Sequence, residues 1–356
     1  MLSYAKRLVL RSASRLGANA ILLKSNWRAR RLLILAYHGV SLDDEHLCSG
    51  LYMPPEQFRG RLELIRSAGC NVLPLKDALA MLYAGSLPAR SVVLTFDDGF
   101  YDFYAKAWPI LRDFGWPVTV YLTTYYSIKN VPVFDPMVTY ILWKGRGQEL
   151  CLPEIGIDRM LIEDSPSRQA VRILDAGRDR GLSGEEKHQL LRVMAGRLGV
   201  DFEGLLSRRI LHLMKPEEVA ELASEGVDFE LHCHNHRVYR SRELFRDEVL
   251  KNQLAIERFG ARKPEHFCYP GGFWLPEFMP WLMELGILSA TTCEAGMSTS
   301  MSDRYKLPRL LDGPGMETSE FSAWLSGLAS LLPTRKHSPS TSQLGDAEYS
   351  IAAARS

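Results

Sequence analysis

Three things are scarce in this 356-residue sequence, and each scarcity closes off a class of protein. Net charge is nearly absent. The 43 Lys and Arg against 42 Asp and Glu leave +1, so the overall field does not gather polyanions and nucleic acid is not expected as a partner. The six cysteines (Cys48, Cys70, Cys151, Cys233, Cys268 and Cys293) show no CxxC spacing. That argues against a cysteine-based structural zinc site, gives no sign of a disulfide framework, and fits a reducing compartment. There is no uninterrupted apolar run of roughly 18 residues, so no membrane-spanning helix is expected.

A fourth scarcity is local. Between Met1 and Leu42 there is no acidic residue, against eight Lys or Arg. Arg7, Arg11 and Arg15 recur every fourth position, which on a helix makes a basic stripe opposite Leu2, Val9, Leu16 and Ala20, a pattern suited to an anionic membrane surface. Arginines interrupt every candidate apolar core, so a cleavable secretory signal is not expected. Residues 1–31 thus read as a basic amphipathic arm, and the expected location is cytoplasmic, peripheral at the inner face of the membrane. The plainer reading is an amphipathic helix packed on the main domain.

From residue 32 onward, short apolar runs alternate with helical periodicity. Leu32 to Tyr37, Val92 to Phe96, Val118 to Leu122, Val227 to Leu231, His266 to Pro270 and Ile287 to Thr292 read as strands. Phe58, Leu62 and Ile65 mark a helix over 55–69, and further helices are expected over 76–83, 216–226, 241–259, 276–285 and 317–331. The order predicts a parallel α/β sheet, open or closed into a barrel, spanning residues 32–332. Residues 125–215 break the rhythm with turn signals and charged helical segments and no convincing strand. They read as a mostly helical insertion long enough to cover a site. From 333 onward the composition is that of a disordered tail.

Function in parallel α/β folds gathers at the C-terminal ends of strands. His38, Asp97, Asp98, the run His232, His234 and His236, and the turn Tyr269 to Gly272 all fall there. Taken alone, Asp97-Asp98-Gly99 is equally a strand-to-helix turn with an aspartate cap. One carboxylate with two imidazoles, however, suits a divalent metal that keeps positions open for water and substrate. His232 and His236 converge if the chain turns helically after Leu231. If it stays extended, His232 and His234 are the alternative pair.

The segments Thr95-Phe96-Asp97-Asp98-Gly99, His232-x-x-x-His236 and Phe267-Cys268-Tyr269-Pro270-Gly271-Gly272, in that order, resemble the first three motifs of the polysaccharide deacetylase family, also called NodB-like or carbohydrate esterase family 4. The resemblance implies a distorted (β/α)7-type barrel and metal-dependent removal of N-acetyl, or less often O-acetyl, groups from a sugar of an envelope or extracellular polysaccharide or its lipid-linked precursor. It implies a divalent metal, zinc first and cobalt or nickel also, on Asp98, His232 and His236. Asp97 becomes the general base and the Gly271 N–H an oxyanion donor.

Two departures matter. Many members carry an arginine where this chain has Cys268, and Arg309 is the candidate to replace it as the partner of Asp97. Many members also place the general acid in a late histidine, where this chain has only His266 and His337 after His236. Some exopolysaccharide-modifying relatives use a histidine after the first strand, and Tyr37-His38-Gly39-Val40 resembles that arrangement, so His38 is nominated as the acid. These departures motivate two rivals: a catalytically silent carbohydrate-binding relative, and an amidohydrolase acting on another C–N bond.

Overall fold

The structure is a computed structural model that describes residues 4–333. Seven parallel strands carry it: β1 (Leu33–Tyr37), β2 (Ser91–Asp98), β3 (Thr119–Leu122), β4 (Asp228–Leu231), β5 (His266–Cys268), β6 (Ser289–Thr291) and β7 (Leu310–Leu311). Their order in the sheet is β6-β5-β4-β3-β2-β1-β7, with the two-residue strand Asn71–Val72 added alongside the start of β2. β1 is buried along its whole length, as expected of a parallel strand covered on both faces, which is why such strands read as continuous apolar runs.

The sheet curls so that its two ends approach. The backbone from Arg304 to Arg309 runs beside β6, with Leu307 N–H donating to Ala290 O and Thr292 N–H to Leu307 O, both at 2.9 Å. Just beyond, the same segment pairs with β1, Leu35 opposite Leu310 and Ala36 opposite Leu311. Arg309 therefore sits between the two ends of the sheet, at the seam of a distorted barrel.

Helices cover the outside close to the expected positions, at Pro55–Ser67, Leu75–Tyr83, Pro216–Ser224, Arg242–Arg258, Phe278–Glu284 and Thr318–Ser326. The insertion is mostly helical, with helices at Phe134–Lys144, Ser167–Asp179 and Gly184–Arg197. The expectation that it holds no strand is corrected: Glu149–Leu152 and Ile157–Leu161 form an antiparallel hairpin. Its inward residues Leu150, Leu152, Ile157 and Met160 join Met137, Ile141, Ile173 and Met194 in a core separate from that of the barrel. The insertion returns to the barrel through Leu211 to Met214. There His212 O accepts from Tyr101 N–H at 2.8 Å and Met214 N–H donates to Gly99 O at 2.9 Å. It is thereby stitched to the turn that follows Asp97 and Asp98.

The N-terminal region is helical over Tyr4–Arg15, Ala18–Leu23 and Asn26–Ala29. Leu10 is buried, at 1% exposure, whereas Leu16 is 84% exposed and Ala20 is also exposed. Leu16 and Ala20 of the apolar stripe inferred from the sequence are therefore not on the face that packs; Leu2 lies outside the described residues. Arg11 forms a two-pronged ion pair with Glu317 at 2.6 and 2.9 Å. Arg28 is fully buried and donates to the carbonyls of Leu325, Arg31 and Ser91. No described helix is long and apolar enough to cross a membrane. The expected tail from 333 lies almost wholly outside the described residues.

Candidate active site

The C-terminal ends of β1, β2, β4 and β5 bring the sequence-derived residues to one place. β2 ends on Asp97 and Asp98, and their side chains diverge because the chain leaves the sheet there: Asp98 has φ 69° and Gly99 φ 83°. Gly99 is required at this turn. Besides the positive φ, a Cβ on it would lie 2.2 Å from Leu122 Cδ1. Neither aspartate caps the following helix. Asp97 faces the barrel seam and Asp98 faces the histidines.

Asp98 Oδ1 lies 3.4 Å from His232 Nε2 and 3.2 Å from His236 Nε2. It is buried with no hydrogen-bond partner. Donor atoms each about 2.0–2.2 Å from a tetrahedral zinc lie roughly 3.3–3.5 Å apart, so Asp98 Oδ1 stands at neighbouring-ligand spacing from both imidazoles, and the three ligand atoms all lie within 4.8 Å of one another. Tautomers agree with this. His232 Nδ1 lies 2.8 Å from Cys268 O; a carbonyl only accepts, so Nδ1 carries a proton and Nε2 faces Asp98, where burial opposes a second proton but Cys268, Asp98 and Asp97 favour one, a place an ion on Nε2 would take. Burial holds His236 down at about 4, which leaves it neutral and able to ligate at neutral pH.

The histidine run does not turn helically after Leu231, which corrects that expectation. Left-handed backbone at Cys233 (φ 63°) and at His236 (φ 56°) folds it into a compact loop. His234 points away and meets Thr124 Oγ1 at 2.8 Å, while its carbonyl accepts from Tyr125 N–H at 2.9 Å. Of the alternatives, the structure therefore pairs His232 with His236.

Asp97 is held differently. Arg309 donates from Nη1 to Oδ1 and from Nη2 to Oδ2, both at 2.7 Å, and both residues are buried. Arg309 Nη1 also donates to Thr95 Oγ1 at 3.3 Å and its Nε to Thr292 O at 3.0 Å, so the fork is aimed from two sides. Burial pushes the Asp97 carboxyl up, but the guanidinium outweighs it and holds the group below the usual carboxylate range. Cys268 Sγ lies 3.0 Å from Arg309 Nη2: where the family resemblance led one to expect an arginine, a small thiol leaves room for one arriving from the seam. Asp97, His232 and Cys268 form a second cluster of metal-ligand types. Arg309 occupies both Asp97 oxygens and abuts the sulfur, so that cluster is not a place for a cation.

His38, at the end of β1, has Nε2 4.0 Å from Asp97 Oδ2 and a side chain 16% exposed, within reach of the mouth. The turn after β5 has left-handed backbone at Gly271 (φ 59°) and Gly272 (φ 69°). A Cβ on Gly272 would lie 2.7 Å from Cys293 Cβ, so the chain passes close against the segment after β6.

Sequence reasoning missed the residues that hold the loop. Asn252 is fully buried. Its Oδ1 accepts from His232 N–H at 2.9 Å while Nδ2 donates to Leu122 O at 2.9 Å and to Thr124 Oγ1 at 3.1 Å. Glu248, one turn earlier, accepts from both the backbone and side-chain amides of Asn235. The signal was present: both occupy core-facing positions of a helix whose other buried residues include Phe245, Val249, Ala255 and Ile256, and a polar residue on an apolar face asks for a partner.

Fold and site together define a parallel β/α barrel with a carboxylate and two-imidazole group at the C-terminal rim. The sequence profile of the polysaccharide deacetylase family matches residues 84–177 and 184–289, more than half of the chain, and the chain belongs to that family. Among solved structures it is similar to the Streptococcus pyogenes deacetylase PplD in complex with acetate (17% identity, TM-score 0.55, covering 85% of this chain and 99% of that one). It is also similar to IcaB from Ammonifex degensii (16% identity, TM-score 0.53, covering 84% and 98%). At these identities the likeness establishes the fold, including the curled parallel sheet. By sequence the chain is 31% identical over 93 residues to the putative polysaccharide deacetylase YxkH of Bacillus subtilis, covering 26% of this chain and 32% of that protein. A stretch of 31 residues, 9% of this chain and 5% of the relative, is 58% identical to the poly-beta-1,6-N-acetyl-D-glucosamine N-deacetylase of Escherichia coli K12. The sequence matches thus span about a third of the first relative and a small part of the second.

Proposed function

We propose that the chain is a metal-dependent hydrolase that removes N-acetyl groups from the sugars of an envelope or extracellular polysaccharide or of its lipid-linked precursor. The observation that carries this reading is the buried, unpartnered Asp98 Oδ1 facing the Nε2 atoms of His232 and His236, one residue from a carboxylate held by Arg309. The names of PplD and of the E. coli relative support it.

In this reading Asp98, His232 and His236 hold a divalent ion, zinc first. Such an ion, when bound, lowers the pKa of its water and polarises the acetyl carbonyl. Asp97 accepts the proton of the attacking water; the Arg309 fork fixes its orientation and keeps it ionised. The Gly271 N–H, on the turn after β5, is assigned to the developing oxyanion. His38 gives the proton to the leaving amine, a role supported by its 4.0 Å approach to Asp97 and its partial exposure. Acetate release from N-acetylated glucosamine oligomers, scored against ammonia release and with metal content measured on the same sample, tests the proposal. Ammonia without acetate assigns another C–N bond, and bound glycan with neither product assigns a silent relative.

We also propose that the N-terminal helices touch an anionic membrane from the cytoplasmic side. Leu8, Leu16 and Ile21 are exposed by 53, 84 and 71% beside the basic residues of this region, the combination that interfacial helices use. Binding to phosphatidylglycerol vesicles that does not fall on removal of residues 1–24 would overturn this placement.

A further inference from the structure

The His38 ring is short of partners. Its Nε2 stands 4.0 Å from Asp97 Oδ2, beyond hydrogen-bond range, and both Asp97 oxygens already accept from Arg309. Among the described residues nothing else hydrogen-bonds the ring. Its aim is therefore set by the backbone that carries it.

That backbone runs from β1 into a rim loop, Gly39 to Met53, and the helical insertion holds this loop from outside the barrel. Gly39 pairs with Tyr52 and Val40 with Met53, which closes the loop at its base. The chain at Gly39 passes between the Tyr52 ring and Asp102: a Cβ there would run into the ring and lie 2.5 Å from Asp102 Oδ2. Tyr52 is buried in the core of the insertion, with Met137, Ile141 and Met194, and Leu42 and Cys48 of the loop pack on that same core. At the far side of the loop, Asp44 Oδ1 accepts from the Tyr140 hydroxyl and Oδ2 accepts from Lys144 Nζ, the latter at 2.5 Å. Tyr140 and Lys144 lie one turn apart on the insertion helix Phe134–Lys144. Burial pushes the Asp44 carboxyl up, but Lys144 and Tyr140 outweigh it and hold the group below the usual carboxylate range, so the grip is charge-assisted. Arg208 adds a pair with Asp43 at 2.6 Å, which is exposed and contributes little.

We infer that Asp44 is a positioning residue for His38: gripped by Tyr140 and Lys144, it lets the insertion fix the rim loop, and the loop fixes His38 over the leaving amine. The inference rests on the deacetylase reading with His38 as its acid. An amine must take up a proton to leave, so a displaced His38 slows amide cleavage. A nitrophenolate leaves as a stable anion and needs no proton, so the same displacement spares an aryl acetate.

The test compares the metal-loaded wild type with Asp44→Ala, Asp44→Asn, His38→Ala and the Asp44→Ala/His38→Ala double variant. Acetate release is measured from N-acetylglucosamine oligomers and from nitrophenyl acetate, with metal content and the NMR signals of isotope-labelled histidines read on the same samples. A misplacement of about 1 Å can cost roughly 10²-fold, so Asp44→Ala should lose roughly 10- to 100-fold in kcat on the oligomers and stay within about twofold on the ester. Metal content should hold. Asp44→Asn keeps an acceptor for Tyr140 and should lose less. On the His38→Ala background Asp44→Ala should add almost nothing, because no acid is left to misplace. No loss, equal loss on both substrates, or loss that adds to that of His38→Ala overturns the inference. A wild type that releases no acetate from the oligomers fails the deacetylase reading on that result alone. The His38 ring signal then decides the positioning: it should shift or broaden in Asp44→Ala while those of His232 and His236 stay in place, and an unmoved His38 signal overturns it.

Discussion

Arg309→Gln is the perturbation that separates positioning of Asp97 from metal binding. In the wild type two 2.7 Å hydrogen bonds join a fully buried guanidinium to a carboxylate whose side chain is 3% exposed. Removing one partner of such a pair costs about 3–5 kcal/mol, because a charge is left uncompensated in the interior. Asp97 can escape part of that cost by taking up a proton. Burial, now opposed only by the weaker influence of His232 and His38, raises its pKa instead of letting it fall, and each tenfold gain in proton affinity corresponds to about 1.4 kcal/mol.

Two consequences carry opposite signs from the wild type. With Arg309 present, the folded pKa lies below the unfolded one. The stabilisation is then complete above the unfolded value and is lost as pH falls through the folded one. Without Arg309 the folded pKa lies above the unfolded one, so stability declines as pH rises past the unfolded value. Turnover loses its base at neutral pH, a loss of roughly 10²- to 10⁴-fold for general base catalysis, and recovers in part toward alkaline pH. Acetate release and thermal melting, both against pH and with metal content measured in parallel, read the two consequences. A variant that keeps wild-type turnover with an unmoved acid limb would refute the assignment of Arg309 as the partner that matters.

Further outcomes follow from neighbouring contacts. His236→Ala should lose the metal, whereas His234→Ala should keep it and lose the Thr124 hydrogen bond and the Tyr125 ring contact, about 1–2 kcal/mol of stability by thermal melting; metal loss in the second alone would reverse the ligand choice. Asn252→Ala strips hydrogen bonds from His232 N–H, Leu122 O and Thr124. It should cost about 2–4 kcal/mol, and metal affinity measured by chelator competition should fall roughly 10- to 100-fold. Gly99→Ala meets both a positive φ and the Leu122 methyl and should destabilise by at least about 2 kcal/mol in denaturant titration.

The strand ends were legible because buried parallel strands are continuous apolar runs, so His38, Asp97, His232 and Tyr269 could be placed at one rim from the sequence pattern alone. The hairpin within the insertion was not. Glu149 to Leu152 alternates exposed and buried over only four residues, too short a period-two signal beside long helical neighbours. The choice between His234 and His236 came from the motif resemblance and was beyond residue spacing, since it turns on left-handed backbone at Cys233 and His236, two non-glycine residues that local preference would not put there. Arg309 was visible as a candidate, but its role depends on the seam between β6 and β1, a contact between the two ends of the sheet. Asn252 and Glu248 were readable as polar residues on an apolar helix face, although nothing in the sequence names the histidine loop as what they hold.

In the proposed function the adjacent aspartates do different work, Asp98 holding the ion and Asp97 serving the water. The most direct measurement is metal content and acetate release on the same preparation of Asp97→Asn, with Asp98→Asn beside it. Asp97→Asn should keep the wild-type metal content and lose turnover by roughly 10²-fold or more, while Asp98→Asn should lose both. Retention of turnover in Asp97→Asn, or of metal in Asp98→Asn, would contradict that division of work.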